Sequence, residues 1–247
     1  MHIHPPHKSG SNLKEHFIHF LMLFLAVLLG AVAENFRENF IEKNKEREYL
    51  TSLVFDISQD TTRLDTCIKS RFEKKSNASK LISILSQPSI TNTKDIYYLT
   101  RLMTRVESFQ GVDGTINQLQ FSGGFNVIEN KKIIKLINDY LYLRNGVYIF
   151  NQIEENLLLQ FRNSTSKIVK ADIYSKMLDP IKNKDYKYFI KPLDKEESLF
   201  SYDKENLNNL MYWTSSEDGN ISLNINQMKL LKNKGKALID LIESEIK

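Results

Sequence analysis

Residues 17–75 read FIHFLMLFLAVLLGAVAENFRENFIEKNKEREYLTSLVFDISQDTTRLDTCIKSRFEKK, and they carry the strongest helical pattern in the sequence. Its first part, 17–33, is almost wholly apolar, whereas its second part, 34–75, is charged and contains neither glycine nor proline. No turn signal separates the two parts, so a helix that starts in the first part can continue into the second. The sequence therefore predicts one helical rod with an apolar end and an amphipathic end.

The apolar segment has the composition of a membrane span. A helix rises about 1.5 Å per residue, so 17–33 covers about 25 Å, the short end for crossing a bilayer. His19 is its only strongly polar residue. A cleaved signal peptide is the alternative, because Ala31-Val32-Ala33 has the small-x-small form of a cleavage site. The apolar stretch exceeds a usual signal core, and the helical pattern runs on past Ala33, so we expect an uncleaved transmembrane helix.

The charges that flank this helix bear on its orientation. Basic residues lie on both sides, with Lys8 and Lys14 before the segment and Arg37, Lys43, Lys45 and Arg47 after it. Their count favours a cytoplasmic body, but long domains cross a membrane largely regardless of charge. The Ala-Val-Ala end also suits export. We expect a single-pass protein of the inner (plasma) membrane with a periplasmic body.

Three small residues mark one face of the predicted membrane helix. Ala26, Gly30 and Ala33 are four and three residues apart. Small side chains at this spacing let helices approach closely in lipid, although alanine and glycine are common in membrane helices in any case. This face is the predicted packing surface within the membrane.

An apolar stripe follows in the predicted long amphipathic helix, 34–75. Its members mostly recur at intervals of three, four or seven residues, which is helical periodicity. They are Phe36, Phe40, Leu50, Val54, Ile57, Leu64, Ile68 and Phe72. Such a stripe packs against the protein's own helices or forms a coiled-coil seam between copies.

Residues 76–247 are predicted to form a bundle-like helical soluble domain, which makes the chain all-α. Gly and Pro are scarce, with 9 and 5 copies, which favours long helices over a turn-rich β fold. Asn77 is the predicted cap of a short helix that ends before Pro88. Near the C-terminus, Asp203 is the predicted cap of another helix, and the sequence EDGN at 217–220 is the predicted turn into a last one.

Several functional classes lack their usual signals. The net charge of +4 is too small, and too interspersed, to indicate nucleic-acid binding. No histidine lies beyond His19, so the body cannot form a Ser-His-acid triad or a Cys-His pair. The adjacent carboxylates Glu154 and Glu155 read as a solvated helix face, and the lone Cys67 as a packed thiol. We expect no enzyme, no cofactor and no nucleic-acid partner.

The N-terminal tail, 1–16, holds most of the histidines. His2, His4 and His7 are the candidate metal ligands, because imidazole suits copper, nickel and zinc. Pro5-Pro6 stiffens the chain before His7, and no carboxylate or thiolate joins the group. An interfacial role is favoured over a metal site.

Two stretches resemble a known family. The first is FLMLFLAVLLGAVAENFRENF, residues 20–40. The second is TINQLQFSGGFNVIENKKIIKLINDYLYL, which begins at Thr115. Both are similar to a family of single-pass proteins of Bacteroidota-type Gram-negative bacteria, a domain of unknown function whose members also carry N-terminal histidines. The resemblance is strongest over 1–50 and hardly reaches the C-terminal third. Phe121 departs from the family's usual serine. The resemblance implies a membrane anchor and no particular activity.

Together these features predict a membrane-anchored helical scaffold or assembly component. Its expected partners are the lipid bilayer and either further copies of itself or other membrane-protein subunits. A membrane-anchored sensory or ligand-binding module is the alternative from another class, and metal handling by the histidine tail is a third.

Overall fold

The computed structural model describes residues 13–178 and 190–246, and this part of the chain is all-α. The helices are α1 (Leu13–Leu85), α2 (Thr93–Met103), α3 (Gly114–Phe121), α4 (Lys131–Ser166), α5 (Ala171–Lys176) and α6 (Lys204–Ile246), with a 3-10 turn at Gly124–Asn126. An isolated antiparallel bridge pairs Leu178 with Ile190. The predicted fold class is therefore confirmed.

Helix α1 is continuous over 73 residues, which corresponds to about 110 Å. The predicted helix start at Asn77 is wrong, because the helix passes through the expected boundary at 75/76. Ala78, Leu81 and Leu85 prolong the buried stripe of the preceding turns at helical spacing. Their burial favours continuation, and the helix ends only as the chain approaches Pro88, where helical geometry becomes unfavourable.

Helix α6 is continuous as well, so the predicted turn at 217–220 is also wrong. Glu217 and Asn220 belong to the buried face of α6, and only Gly219 of this stretch points into open space. One exposed glycine costs a helix about 1 kcal/mol, which burial along 43 residues outweighs. The helix begins as expected after Asp203, whose carboxylate accepts the backbone N–H of Asn206 at 3.0 Å.

Helices α1, α4 and α6 form a three-helix bundle. The backbone N–H of Glu129, just before α4, donates to Glu46 of α1 at 2.8 Å. At the same end, Asn130 contacts Glu245, near the end of α6, at 2.8 Å. Helix α4 therefore runs parallel to α1, whereas α6 runs antiparallel to both.

An extended segment, 104–113, returns along α1 between α2 and α3. Its backbone is hydrogen-bonded by α1 side chains: Arg71 donates to the Glu107 carbonyl at 2.7 Å, and Asp60 accepts the Val112 N–H at 2.8 Å. Asp56 likewise accepts the Thr115 N–H at the start of α3, at 3.0 Å. Backbone groups that are removed from water need such partners. This need explains why α1 carries polar side chains on its buried face.

The core consists of two hydrophobic clusters. One includes Leu53 and Tyr140 and lies toward the end of the bundle nearest the apolar segment 17–33. The other includes Leu81 and Phe161 and lies toward the far end. On α1, the buried residues of the first cluster end at Cys67 and those of the second begin at Ala78. The turns of α1 between them contribute no buried residue to either cluster.

Candidate functional site

The apolar segment 17–33 lies wholly outside the bundle. Every residue from 13 to 45 is exposed, including Leu23 at 69% and Val27 at 73%. Among the described residues, α1 is the one helix long and apolar enough to cross a membrane, and none of its apolar window is buried. A core helix of a soluble protein passes the same length test but is covered by its own fold. Here no part of residues 13–178 and 190–246 covers the apolar surface.

The small residues Ala26, Gly30 and Ala33 lie on this uncovered part of α1. A methyl group built at Gly30 would meet no atom of the described chain within 4 Å. The described part of the chain therefore leaves this face open, and a larger side chain at Gly30 would meet no described neighbour in the monomer.

The predicted seam divides into two groups. Leu50, Ile57 and Leu64 lie in the core, and Val54 and Ile68 are half-buried against it. Phe36, Phe40 and Phe72, by contrast, are 72%, 68% and 47% exposed.

One continuous core seam is therefore not what forms. Phe36 and Phe40 precede the first residue of the bundle, and Phe72 faces outward beneath the ammonium of Lys229, which lies 5.1 Å from its ring centroid. Phe36 and Phe40 are four residues apart, as are Leu50 and Val54, so this spacing alone does not distinguish a packed residue from an uncovered one.

A buried charged layer separates the two hydrophobic clusters. Arg71 of α1 donates from Nη2 to Glu154 Oε2 and to Asn151 Oδ1, both at 2.9 Å. Lys74 donates to Glu154 Oε1 at 2.9 Å and to Glu217 Oε2 at 3.3 Å. Glu154 thus has a cation on each oxygen, and the layer joins α1, α4 and α6.

The reading of Glu154 and Glu155 as a solvated face is wrong for Glu154, whose side chain is 1% exposed. Glu155, its neighbour, is exposed. A signal was available in the sequence: Glu154 lies seven residues after Val147 and four before Leu158, at the spacing of the buried stripe.

Glu217 is less completely paired than Glu154. Its Oε1 has no hydrogen-bond partner among the described residues. Burial raises the pKa of its carboxyl above the usual value, Lys74 opposes the rise, and the like charge of Glu154 adds to it. The folded protein therefore favours the ionised form of Glu217 less than the unfolded chain does.

We expect Glu217 to make stability depend on pH. Because its pKa is raised on folding, the folded state binds the proton more tightly, so its contribution is fully present below the unfolded pKa and is lost as pH rises through the folded pKa. A Glu217→Gln variant has no titratable carboxyl group at this position, so it lacks this pH dependence. Urea unfolding of both proteins at pH 7 and near pH 5 should show the wild type gaining stability relative to the variant at the lower pH. A difference that stays constant, or that changes in the opposite direction, would contradict the assignment.

The candidate metal ligands His2, His4 and His7 lie outside the described residues. His16 and His19 are exposed on α1. Within 13–178 and 190–246, no group of three or more His, Cys, Asp or Glu side chains is placed to hold a metal ion. Cys67 is buried, and burial raises the pKa of its thiol to about 11, so it is a packed thiol.

Comparison with known proteins adds no assignment to this geometry. No protein-family model, curated protein or solved structure matches the chain. The resemblance of the two quoted stretches to a single-pass membrane family stays a prediction.

Proposed function

We propose that the protein is a membrane-anchored helical assembly component. The observation that carries this proposal is the continuity of α1, which runs from an uncovered apolar segment into the bundle core without a break. A continuous helix transmits position from the bilayer to the body more rigidly than a flexible linker does. In this proposal 17–33 crosses the inner (plasma) membrane once, and the body lies on the periplasmic side.

Self-association is the proposed mode of assembly. Two uncovered surfaces on α1 support it: the small residues within the apolar segment, and Phe36 and Phe40 just beyond it. Large exposed aromatic side chains next to a bilayer suit contact with lipid headgroups or with a second helix. The partners are therefore further copies of this chain or other membrane-protein subunits.

No catalytic role is part of this proposal, because the body has no histidine and Cys67 is buried with a raised pKa. Metal handling by His2, His4 and His7 remains an untested prediction. A ligand-binding role is favoured by a cavity that Arg101, Arg105 and Arg162 line, far from the apolar segment 17–33. This role is compatible with the proposed anchor.

We expect Gly30→Leu to weaken oligomers of the full chain in detergent by about tenfold or more in dissociation constant, since the larger side chain separates close-packed helix backbones. Gly219→Leu is the matched control: Gly219 also lies mid-helix in open space, but on the body. Light scattering and analytical ultracentrifugation measure the change.

An equal mass for the wild type and both variants would remove the small-residue face from the proposal. The oligomer mass of the double variant Phe36→Ser with Phe40→Ser would then test the second uncovered surface on α1.

A further inference from the structure

A cavity of about 450 Å³ opens between the C-terminal end of α2, the last turns of α4, and α5. Its lining combines three arginines with hydroxyl-bearing and apolar side chains. The polar lining includes Arg101, Arg105, Arg162, Thr104, Thr165 and Tyr174. A cavity of this size accommodates a small organic molecule.

Arg101 is held rigidly at this cavity. Its guanidinium carbon lies 3.6 Å from the centroid of the Tyr174 ring, and its Nη2 donates to the Tyr174 carbonyl at 2.6 Å. Its buried Nε has no hydrogen-bond partner among the described residues. A guanidinium fixed by stacking loses little freedom when it binds a further acceptor.

The other two arginines bring more positive charge to the same place. Arg162 of α4 donates to the Thr104 carbonyl at 3.4 Å, which ties it to the end of α2. The pKa of Arg101 is lowered mainly by burial and further by Arg105, and all three arginines act to lower the pKa of Tyr174, which burial raises. Three guanidinium groups therefore converge on one tyrosine.

Negative charge is missing from the described lining. None of the described residues that line the cavity is an aspartate or glutamate, and among the described residues no ion pair involves Arg101 or Arg162. Arg101 and Arg162 therefore bring two like charges to the lining without a counterion among the described residues, and a bound anion relieves their repulsion.

We propose that this cavity binds a small organic phosphate. A phosphate monoester carries about two negative charges near neutral pH and accepts paired hydrogen bonds from planar guanidinium groups. The hydroxyls of Thr104 and Thr165 already donate to the carbonyls of Arg101 and Phe161, so the guanidinium groups are the donors for the phosphate. Val169, Ala171 and Leu178 provide an apolar wall for the organic part of the ligand.

The position of the cavity favours a soluble phosphate over a lipid headgroup of the anchoring membrane. Phe161, next to Arg162, packs in the same cluster as Ala78 of α1. Ala78 is 45 residues beyond Ala33 in one helix, so the two are separated by about 70 Å along the helix. The cavity does not depend on whether α1 spans a membrane.

Phenyl phosphate is the probe, titrated calorimetrically into the full chain in phosphatidylcholine nanodiscs, with phenol as its uncharged counterpart. We expect phenyl phosphate to bind and phenol not to bind. Arg162→Gln, at an exposed position, should weaken binding by about tenfold or more, as expected for a lost charge-assisted hydrogen bond. Arg101→Gln should weaken it further. Arg47→Gln is the control, because Arg47 is exposed on α1 outside the cavity.

Equal affinity for the wild type and Arg162→Gln would overturn the site, as would an equal loss in Arg47→Gln. Unchanged thermal unfolding of Arg162→Gln would show that its loss of binding is local. A loss of binding that appears only in Arg101→Gln, together with a lower unfolding temperature, would count against the proposal.

Two further arms identify the occupant. Phosphatidic acid added to the nanodiscs should leave the affinity for phenyl phosphate unchanged, whereas competition by this lipid would overturn the choice of a soluble phosphate. Asp179→Asn with Asp185→Asn changes two carboxylates that lie outside the described residues. Unchanged affinity supports a diffusible anion, and tighter binding by about tenfold or more would assign the arginines to an internal carboxylate instead.

Discussion

Replacing Glu154 with glutamine should lower the free energy of unfolding by about 3–5 kcal/mol, the cost of removing one member of a buried ion pair. Glu154 accepts from Arg71 and from Lys74, each at 2.9 Å. Without its charge, Glu217 would be the one carboxylate of the described layer beside two buried cations, and its ion pair is with Lys74, at 3.3 Å. The loss exceeds that of a surface change because no water can solvate the cations left behind.

Urea unfolding of the full chain in a mild detergent measures this effect, with Glu155→Gln as its control. Glu155 is exposed and adjacent, so the same chemical change there should alter stability by less than about 0.5 kcal/mol. Alkylation of Cys67, which is buried in the neighbouring cluster, gives an independent readout of opening. Similar effects of the two substitutions would show that the charged layer contributes no net stability.

The second large effect concerns the anchor. We expect the full chain to stay in the membrane fraction under alkaline extraction, whereas a chain that begins at Lys43 should be recovered in the soluble fraction. All residues from 13 to 45 are exposed and contribute nothing to the core. The shorter chain should therefore unfold within a few degrees of the full chain, since a lost core contact of about 1 kcal/mol would already be visible as a shift.

Arginine substitutions separate the apolar segment from its flank. Leu25→Arg with Leu28→Arg places two charges at the centre of 17–33, where each costs about 2.5–3.5 kcal/mol of insertion free energy. This variant should leave the membrane, whereas Phe36→Arg with Phe40→Arg, beyond the segment, should remain. A soluble product that begins at Glu34 would instead identify 17–33 as a cleaved signal sequence.

The features that depend on local chemistry could be predicted from the sequence alone. The scarcity of Gly and Pro and the spacing of apolar residues predicted an all-α chain, and the composition of 17–33 identified the segment that could cross a membrane. The cap at Asp203 was predictable for the same reason, because a carboxylate reaches the N–H groups of its own helix turn. Each of these depends on interactions within a few residues.

The helix boundaries and the identity of the buried residues depend on packing between helices, so they became known only from the tertiary structure. Asn77 and the EDGN sequence carry local signals of a helix start and of a turn, yet both lie within continuous helices because neighbouring helices cover the stripe on either side. Phe40 and Leu50 have the same apolar character, but only Leu50 belongs to the core cluster that also includes residues of α4 and α6. Local sequence cannot distinguish these cases, because burial is set by residues distant in the chain.

The charged layer and the arginine cavity show the same limit for function. Arg71, Glu154 and Glu217 come from three helices, and Arg101 and Arg162 from two. Spacing along its own helix can indicate that Glu154 is buried, but it does not show which residues of other helices Glu154 contacts. What makes these charged residues a buried network or a candidate anion site is the register in which the helices pack, and that register is settled by the sum of contacts between distant segments.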